Sequence, residues 1–350
     1  MHPLININQR AIGDHQPCYI IAEAGVNHNG DTQLALELVE KAYEVGADCV
    51  KFQTFTAESV ITKQAPKAHY QLQVTDHRES QFEMLRKLEL SQDAYQSIIH
   101  RCQTLGIQFL STPYSAPDAD FLHELEVPAF KVASGQLVEL SFLEHLAAFH
   151  KPIILSTGMA TLAEVYDAVA TIRAFHDQFF VLQCTTNYPS RLEDANIRAM
   201  VAMREALNVP VGYSDHVESN YACYAAVAQG ACIIEKHFTL DRALPGPDHK
   251  ASLDIAGFRE LVAGIRAVEA SLGSSVKTPT QAERDNTEGM RRSIVTVRPI
   301  QKGETLETSA LSFKRPATGL PPRALRDIIG KKAAKDLAED EVLQPNAIVW

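Results

Sequence analysis

Two histidines stand at the ends of consecutive apolar runs, where their side chains could bind a metal ion. His216 closes the run PVGYSDH, and His237 lies in the next run, CIIEKHFT. If these runs are adjacent strands, their neighbouring ends bring the imidazoles close enough to share one divalent cation. Asp215 and Glu235 are near enough in sequence to orient them. Two protein ligands leave positions open for water and substrate, so the ion could polarise a carbonyl group or activate water.

Two lysines inside apolar runs form a second candidate site. An unpaired buried charge is costly, so each of these lysines needs an anion beside it, and a ligand could supply that anion. Lys51 lies in CVKFQTF, and Lys131 lies in AFKVAS. With the hydroxyl groups of Thr112, Ser134 and Ser214, these cations could hold a phosphate or a carboxylate group. The alternative is that each lysine simply pairs with a nearby carboxylate.

The elements that would position these residues are short β-rich runs within the first 240 residues. The runs are 18–25, 49–55, 108–113, 129–134, 152–157, 180–186, 210–216 and 232–239. Segments with helical periodicity separate them, and several of these segments end in glycine, the usual C-terminal stop of a helix. This alternation predicts a (β/α)8 TIM barrel of the α/β class. A doubly wound open sheet is the alternative.

In such a barrel the catalytic groups project from the carboxyl ends of the strands. Polar residues stand at or near that end of each predicted strand; among them are Glu23, Lys51, Gln53, Thr112, Lys131, Ser134, Ser156, Thr186, Asn187, Tyr188, Ser214, Glu235 and His237. The agreement among all the strands is more informative than any single residue. The polar segment 64–81, between the second and third runs, is predicted to be an active-site loop insertion.

The composition excludes several classes of protein. The 350 residues carry a net charge of -10, which disfavours nucleic-acid and anionic-membrane binding. We see no signal peptide and no apolar stretch near the ~20 residues that cross a bilayer, so we expect a cytoplasmic protein. The six cysteines are scattered without a CxxC pair, which argues against disulfides and a thiolate metal site. Nucleotide-binding motifs such as GxGxxG are absent.

The chain changes character after Gly273. Residues 1–273 contain all the strand–helix repeats, whereas residues 274–290 are polar and lack an apolar period, as expected of a linker. Residues 291–350 contain short strand-like runs and turns, which predicts a small, mostly β domain. A domain of that size buries little core alone and gains stability by docking.

A series of short motifs follows in order from about residue 18 to about residue 345. They are AEAGVNHNGD, VKFQTF, STP, ILSTGMAT, CTTNYP, GYSDH, EKHFTLD, PGPDH and KRPATG. Together they resemble the sialic acid synthase family, the bacterial nonulosonate synthases that make N-acetylneuraminate or N,N'-diacetyllegionaminate. The C-terminal domain resembles the antifreeze-like (SAF) domain of that family.

The resemblance implies condensation of phosphoenolpyruvate with the open-chain aldehyde of N-acetylmannosamine or of its 2,4-diacetamido-6-deoxy analogue. The product would be a nine-carbon 2-keto acid, and phosphate would leave by C–O cleavage. His216 and His237 would bind Mn2+, or else Mg2+ or Co2+, which would polarise the aldehyde. Glu23 would manage the proton of the attacking water or stabilise the cation that develops at C2. The alternative is that Glu23 only pairs with Lys51.

The family pattern also implies which side chains contact the substrates. Those for phosphoenolpyruvate are Lys51, Thr112, Lys131, Ser134, Thr186 and Ser214, and those for the sugar are Gln53, Tyr188 and Asp248. Arg315 would reach from the SAF domain into the barrel of the partner in a domain-swapped homodimer. Two positions depart from the pattern. Gln136 stands where many relatives have an acid, and the order Thr186-Asn187 leaves open which of the two faces the phosphate.

Other functions remain as alternatives: a phosphoenolpyruvate–aldose synthase of the octulosonate phosphate type, a metal-dependent barrel hydrolase, or a non-enzymatic protein whose SAF domain is a carbohydrate-binding or structural module. Barrel hydrolases often carry an HxH pair, which is missing here because His28 lies between Asn27 and Asn29. We expect residues 27–30 to turn the chain into the first helix. His28 would shape that loop or support the residues that contact the metal and substrates, and Asp31 would be the N-cap of the helix.

Overall fold

The computed structural model describes residues 4–67, 72, 75 and 79–350. The chain divides into two units, Met1–Gly273 and Ser274–Trp350. The predicted loop insertion 64–81 lies partly outside the described residues. No helix in the described part of the chain is both long and apolar enough to cross a bilayer.

A sheet of parallel strands forms the centre of the first unit. The strands are β1 (Tyr19–Gly25), β2 (Cys49–Thr54), β3 (Gln108–Pro113), β4 (Phe130–Val132), β5 (Ile153–Ser156), β6 (Phe179–Cys184), β7 (Val211–Asp215) and β8 (Ile233–His237). Their hydrogen-bonded order is β3-β2-β1-β8-β7-β6-β5-β4, so the first strand pairs with the last, and β3 and β4 pack side by side at the remaining seam. The predicted TIM barrel is therefore confirmed.

One helix follows each strand and covers the outside of the sheet. The helices are α1 (Thr32–Glu44), α2 (Gln92–Leu105), α3 (Ala116–Glu124), α4 (Leu140–Ala147), α5 (Leu162–Arg173), α6 (Ile197–Leu207), α7 (Tyr221–Ala228) and α8 (Ile255–Leu272). Two shorter helices, Ala57–Val60 and Gln81–Arg86, lie between β2 and α2. The carboxylate of Asp31 accepts hydrogen bonds from the first turn of α1, which confirms it as the N-cap.

Side-chain alternation along the strands places a polar layer above an apolar one inside the barrel. The interior apolar cluster includes Ile21, Cys49, Leu110, Ala129, Ile154 and Ile233, with isoleucines of an N-terminal hairpin (Ile5–Ile7 and Arg10–Ile12). Side chains two positions apart share one face of a strand. Two positions after each of these six residues stands an inward polar residue: Glu23, Lys51, Thr112, Lys131, Ser156 and Glu235. The two-residue alternation along the strands thus places the polar side chains together inside the barrel, at the carboxyl ends of its strands.

The second unit has short strands around its own core. Ser293–Thr296 pairs antiparallel with Leu311–Lys314, and Lys332–Ala333 pairs antiparallel with Ile348–Val349. Buried aliphatic side chains, among them Ile294, fill the space between them. Two short helices, Gln281–Asp285 and Thr287–Met290, fall within the segment predicted to be a linker. The short antiparallel strands of this unit all lie within residues 291–350, the range predicted to form a small, mostly β domain.

Candidate active site

A cavity of about 410 Å³ opens at the carboxyl ends of the barrel strands. The sequence-predicted residues that line it are Glu23, Lys51, Gln53, Thr112, Lys131, Ser134, Thr186, Tyr188, Ser214, His216 and His237. A second cavity of about 190 Å³ shares Gln53, Tyr188 and His237 with the first and adds Asp248. The barrel thus brings most of the predicted site residues together. Arg315 belongs to the second unit.

A carboxylate flanked by two buried lysines occupies the larger cavity. Oε1 of Glu235 lies 3.6 Å from Nζ of Lys131, and Oε2 lies 3.7 Å from Nζ of Lys51. The hydroxyl of Ser214 donates a hydrogen bond to Oε1 at 2.9 Å. Burial alone would raise the pKa of Glu235, but the charges of Lys131 and Lys51 outweigh burial and lower this pKa to about 2. Glu235 is therefore a fixed negative charge at neutral pH.

The two lysines differ in how fully their charge is compensated. Burial opposes the charge of Lys51, but Glu23 and Glu235 together raise its pKa above the ordinary lysine value. Burial dominates at Lys131 and lowers its pKa. Nζ of Lys131 also donates to the Ser156 hydroxyl at 2.7 Å and to the Val132 carbonyl at 3.0 Å. Lys131 is therefore the cation that gains most from an added anion.

Glu23 is paired with Lys51 and is still able to exchange a proton near neutral pH. Its Oε2 lies 2.6 Å from Nζ of Lys51, and its Oε1 accepts a hydrogen bond from Gln53 at 3.2 Å. Burial raises the pKa of Glu23 to about 7, with Lys51 opposing the rise and Glu235 adding to it. A carboxyl group with that pKa suits general acid–base chemistry. The ion pair and the catalytic role are therefore compatible.

A recess with two hydroxyl groups lies over Gly158. The Ser134 hydroxyl accepts a hydrogen bond from the Gly158 amide at 2.9 Å. The Thr186 hydroxyl oxygen is buried without a hydrogen-bond partner among the described residues. A Cβ on Gly158 would lie 2.1 Å from Thr186 Oγ1 and 2.8 Å from Ser134 Oγ, so the recess requires glycine. Asn187 does not compete for this position, because its side-chain amide donates to the Pro189 carbonyl.

His216 and His237 lie side by side at the ends of β7 and β8, with their ring centroids 5.4 Å apart. Nδ1 of His216 lies 2.8 Å from the Thr185 carbonyl oxygen. A carbonyl can only accept, so this Nδ1 carries the proton and Nε2 keeps its lone pair. Nδ1 of His237 is buried without a hydrogen-bond partner in the described part of the chain, 4.0 Å from Oδ2 of Asp248. The Tyr188 ring packs against both imidazoles.

The donor groups of these two histidines suit a divalent transition metal. Nε2 of His216 has a free lone pair and Nδ1 of His237 has no hydrogen-bond partner among the described residues, so a metal ion could bind both nitrogen atoms. Residues 4–67, 72, 75 and 79–350 contain no group of three His, Cys, Asp or Glu side chains placed to hold an ion. An ion bound by the two imidazoles would therefore keep positions open for water and substrate.

The sequence placed Asp215 and Glu235 near the histidines to orient them, but neither carboxylate makes a hydrogen bond to an imidazole, so neither orients the rings by direct contact. Adjacent residues of a strand face opposite sides, so Asp215 points out of the barrel and pairs with Lys236 at 2.5 Å. Glu235 does face the cavity, but its carboxylate forms ion pairs with Lys51 and Lys131. The hydrogen-bond partners of Nδ1 of His216 are instead the Thr185 carbonyl described above and the Cys184 sulfur, at 3.8 Å.

Two other predicted positions have specific contacts. Nδ1 of buried His28 accepts a hydrogen bond from the Gly30 amide at 3.0 Å, which confirms His28 as a loop-shaping residue. The Gln136 amide donates to the Pro113 carbonyl at 3.2 Å, which leaves its Oε1 as a buried acceptor in the larger cavity.

Sequence reasoning missed two residues of the charged cluster. Glu235 was expected beside the histidines, not between the lysines, and Ser156 was not assigned to Lys131. A signal for both was present in the sequence. Each follows an interior isoleucine by two positions, which places it on the inner face of its strand.

Comparison with known proteins gives one consistent result. The NeuB family model matches residues 38–277, and the SAF domain model matches residues 291–349. The chain is 43% identical to the N,N'-diacetyllegionaminic acid synthase of Campylobacter jejuni, over 93% of this chain and 98% of that protein. It is 42% identical to the enzyme of the same name from Legionella pneumophila, over 95% and 94%. The crystal structure of the N-acetylneuraminic acid synthetase of Leptospira borgpetersenii superposes with a TM-score of 0.73 at 31% identity, over 82% of this chain and 95% of that one.

Proposed function

Because the chain belongs to the NeuB family, we propose that it condenses phosphoenolpyruvate with N-acetylmannosamine or a related 2-acetamido mannose sugar. The product would be a nine-carbon 2-keto sugar acid of the sialic or legionaminic acid type, with phosphate released by C–O cleavage. This proposal rests on two buried lysines around Glu235 beside two adjacent histidines, in one cavity. The lysines suit an anionic phosphate ester, and the histidines suit a metal that polarises an aldehyde.

We assign phosphoenolpyruvate to the larger cavity. Lys131 is the lysine with less compensation, and a phosphate or carboxylate group would supply the missing negative charge. The Ser134 oxygen accepts a hydrogen bond from the Gly158 amide, and its O–H can donate to an anion in place of the neighbouring Cys184 thiol. Thr186 offers a second hydroxyl in the same recess. Phosphate oxygens accept hydrogen bonds, so both hydroxyl groups match this substrate.

We expect Gly158→Ala to raise the KM for phosphoenolpyruvate at least about tenfold, because the methyl group would occupy the recess between the two hydroxyl groups. Steady-state kinetics at saturating sugar measure this change. Gly289→Ala is the matched control, since a Cβ there meets no atom within 4 Å. An unchanged KM in folded Gly158→Ala would contradict the assignment of phosphoenolpyruvate to this recess.

The chain's own residues can manage the protons of the reaction. When the enol carbon of phosphoenolpyruvate bonds to the aldehyde carbon, the aldehyde oxygen needs a proton and the enol C2 becomes electron-poor. Water then adds to C2 and loses one proton, and when the C2–O bond to phosphate breaks, the remaining hydroxyl proton passes to the departing phosphate and C2 becomes the keto carbon. Glu23, with a pKa of about 7, can give the first proton and accept the second. A divalent ion, Mn2+ or else Mg2+ or Co2+, would be held by His216 and His237 and would polarise the aldehyde.

We propose the 2,4-diacetamido-6-deoxy sugar as the preferred acceptor. The smaller cavity combines apolar side chains, among them Val26, Phe55 and Leu85, with the polar side chains of Gln53 and Asp248. Such a mixed wall suits a sugar that carries methyl groups as well as polar ones. This sugar has a second acetyl methyl and a C6 methyl, both of which N-acetylmannosamine lacks. The names of the two legionaminic acid relatives point the same way.

Phosphate release by the purified full chain with Mn2+ tests the reaction and the sugar choice together. We expect release only when phosphoenolpyruvate and a 2-acetamido mannose sugar are both present, with at least about tenfold higher kcat/KM for the diacetamido sugar. Release without sugar would indicate a hydrolase, and release only with a phosphorylated aldose would indicate an octulosonate phosphate type of synthase. The absence of turnover with both acetamido sugars would contradict the proposed function.

We further propose a domain-swapped homodimer in which Arg315 reaches the partner's barrel. Arg315 is exposed in the second unit, so Arg315→Ala should leave the unfolding temperature unchanged. We expect the KM for phosphoenolpyruvate or sugar to rise about tenfold, because one charge-assisted contact is lost. The neighbouring Lys314, which pairs with Asp340, provides the control Lys314→Ala. Identical kinetics for the two variants would argue against the swapped arrangement.

A further inference from the structure

A buried ion pair lies directly behind the two histidines, on the outer side of the sheet. Nζ of Lys236 is 2.5 Å from Oδ2 of Asp215, and both side chains are almost completely buried. Asp215 precedes His216 by one residue, Lys236 precedes His237 by one residue, and the two are register partners in the β7–β8 ladder. The ion pair and the histidines therefore occupy opposite faces of the same two strand ends.

All three N–H groups of the Lys236 ammonium donate hydrogen bonds. Besides Asp215, it donates to the Val217 carbonyl at 2.6 Å and to the Ser219 carbonyl at 2.8 Å. A lysine ammonium has three donors, so this one is fully used. Both carbonyls belong to the loop that follows His216 and leads into α7. A single side chain on β8 thus holds the loop at the end of β7.

The carboxylate of Asp215 is equally well satisfied. It accepts hydrogen bonds from the Tyr213 hydroxyl at 2.8 Å, the Val217 amide at 2.9 Å and the Cys223 thiol at 3.1 Å, in addition to Lys236. Val217 is therefore fixed through both its amide and its carbonyl group. Because Val217 is bonded covalently to His216, little freedom remains in the backbone that carries the imidazole.

Stability alone does not explain such a pair. Desolvation offsets most of the attraction between buried charges, and apolar replacements are often neutral or stabilising. We infer that Asp215 and Lys236 are positioning residues that join the ends of β7 and β8 and so set His216 relative to His237. They act through the backbone of residues 215–219. The inference rests on the proposed function, in which these histidines are the metal ligands.

Two variants test this role in the full chain. Lys236→Met removes the ion pair and the hydrogen bonds from Lys236 to the loop. The double variant Asp215→Asn/Lys236→Met removes them without leaving an unpaired buried carboxylate. Lys41→Met is the matched control, because Lys41 forms a partly exposed pair with Glu44 on α1. Circular dichroism shows first which variants are folded.

The first readout needs no metal. Long-range NMR correlations in metal-free protein labelled with 15N-histidine report which ring nitrogen carries the proton, and loss of one signal in His216→Gln identifies His216. We expect one Nδ1-protonated form in the wild type and the control, and mixed tautomers in both Lys236 variants. The second readout is Mn2+ affinity by calorimetry. We expect it to be at least about tenfold weaker in both Lys236 variants and unchanged in the control.

A folded Lys236 variant with the wild-type His216 signal and a Mn2+ affinity within about twofold of the wild type would overturn the inference. A wild-type protein without Mn2+ binding or condensation would instead refute the proposed function, and the NMR readout would still decide about the ion pair. If neither variant folds, hydrogen exchange of the wild type decides. The Val217 amide should then exchange as slowly as the core strands, and fast exchange would overturn the inference.

Discussion

We expect Glu235→Gln to lower kcat/KM for phosphoenolpyruvate by about 10²- to 10³-fold while the chain stays folded. The amide keeps the size of the side chain and can still accept the Ser214 hydroxyl, but it removes the negative charge that two lysines share. Lys51 keeps Glu23 as a partner at 2.6 Å. Lys131 has no other carboxylate within ion-pair distance in the part of the chain that the structure describes. Removing the negative charge of Glu235 therefore affects Lys131 more than Lys51.

The pH dependence distinguishes this explanation from a general loss of structure. Burial already lowers the pKa of Lys131, and Glu235 opposes that effect. Without Glu235 the pKa of Lys131 falls further, so the amine loses its proton, and its affinity for anions, at a lower pH. The activity of the variant should therefore decline as the pH rises through a range in which the wild type is constant.

Profiles of kcat/KM against pH check this, because they report the groups of the free enzyme. Glu44→Gln, which removes one carboxylate from a surface ion pair, is the control and should match the wild type. If the Glu235 variant loses activity with a profile parallel to that of the wild type, Glu235 does not act by keeping Lys131 charged.

The fold was predictable because the periodicities in the sequence are strong and local. Each β-rich run overlaps one strand of the barrel, and the strand that closes it, β8, pairs with β1 as the topology requires. The bounds differ mainly where a predicted run continues past the strand into the loop, as at Thr185 and Thr186 after β6. Loop residues there have strand-like composition, but they lack the ladder hydrogen bonds that define a strand.

The sequence predicted which residues line the site, but not which of these residues contact one another. Inward positions follow from the period of two, and the same period shows that Asp215, between Ser214 and His216, must face outward. The pairing of Glu235 with two lysines depends on distances between non-adjacent strands, which no local pattern gives. Thr186 and Asn187 both follow the end of β6, and only the hydrogen bond from Asn187 to Pro189 separates their roles.

We expect His237→Ala to abolish metal-dependent turnover, with any residual activity at least about 10³-fold below the wild type. The described residues supply no third side chain that could join His216, so the variant would retain one imidazole. One ligand cannot hold the ion at concentrations that saturate the wild type. Calorimetry should show no Mn2+ binding, and phosphate release should not respond to added Mn2+.

His28→Asn provides a matched comparison, because it also replaces a buried histidine near the barrel mouth. An asparagine oxygen can accept the Gly30 amide hydrogen bond that Nδ1 of His28 accepts, so the loop into α1 is preserved. We expect this variant to keep Mn2+ binding and turnover close to wild-type values. Added imidazole should restore part of the Mn2+ binding of His237→Ala, since it can occupy the space of the lost ring and supply the missing nitrogen. Full turnover of His237→Ala in the presence of a chelator would instead show that this histidine is not a ligand, and equal losses in both variants would show that burial, not metal binding, explains the effect.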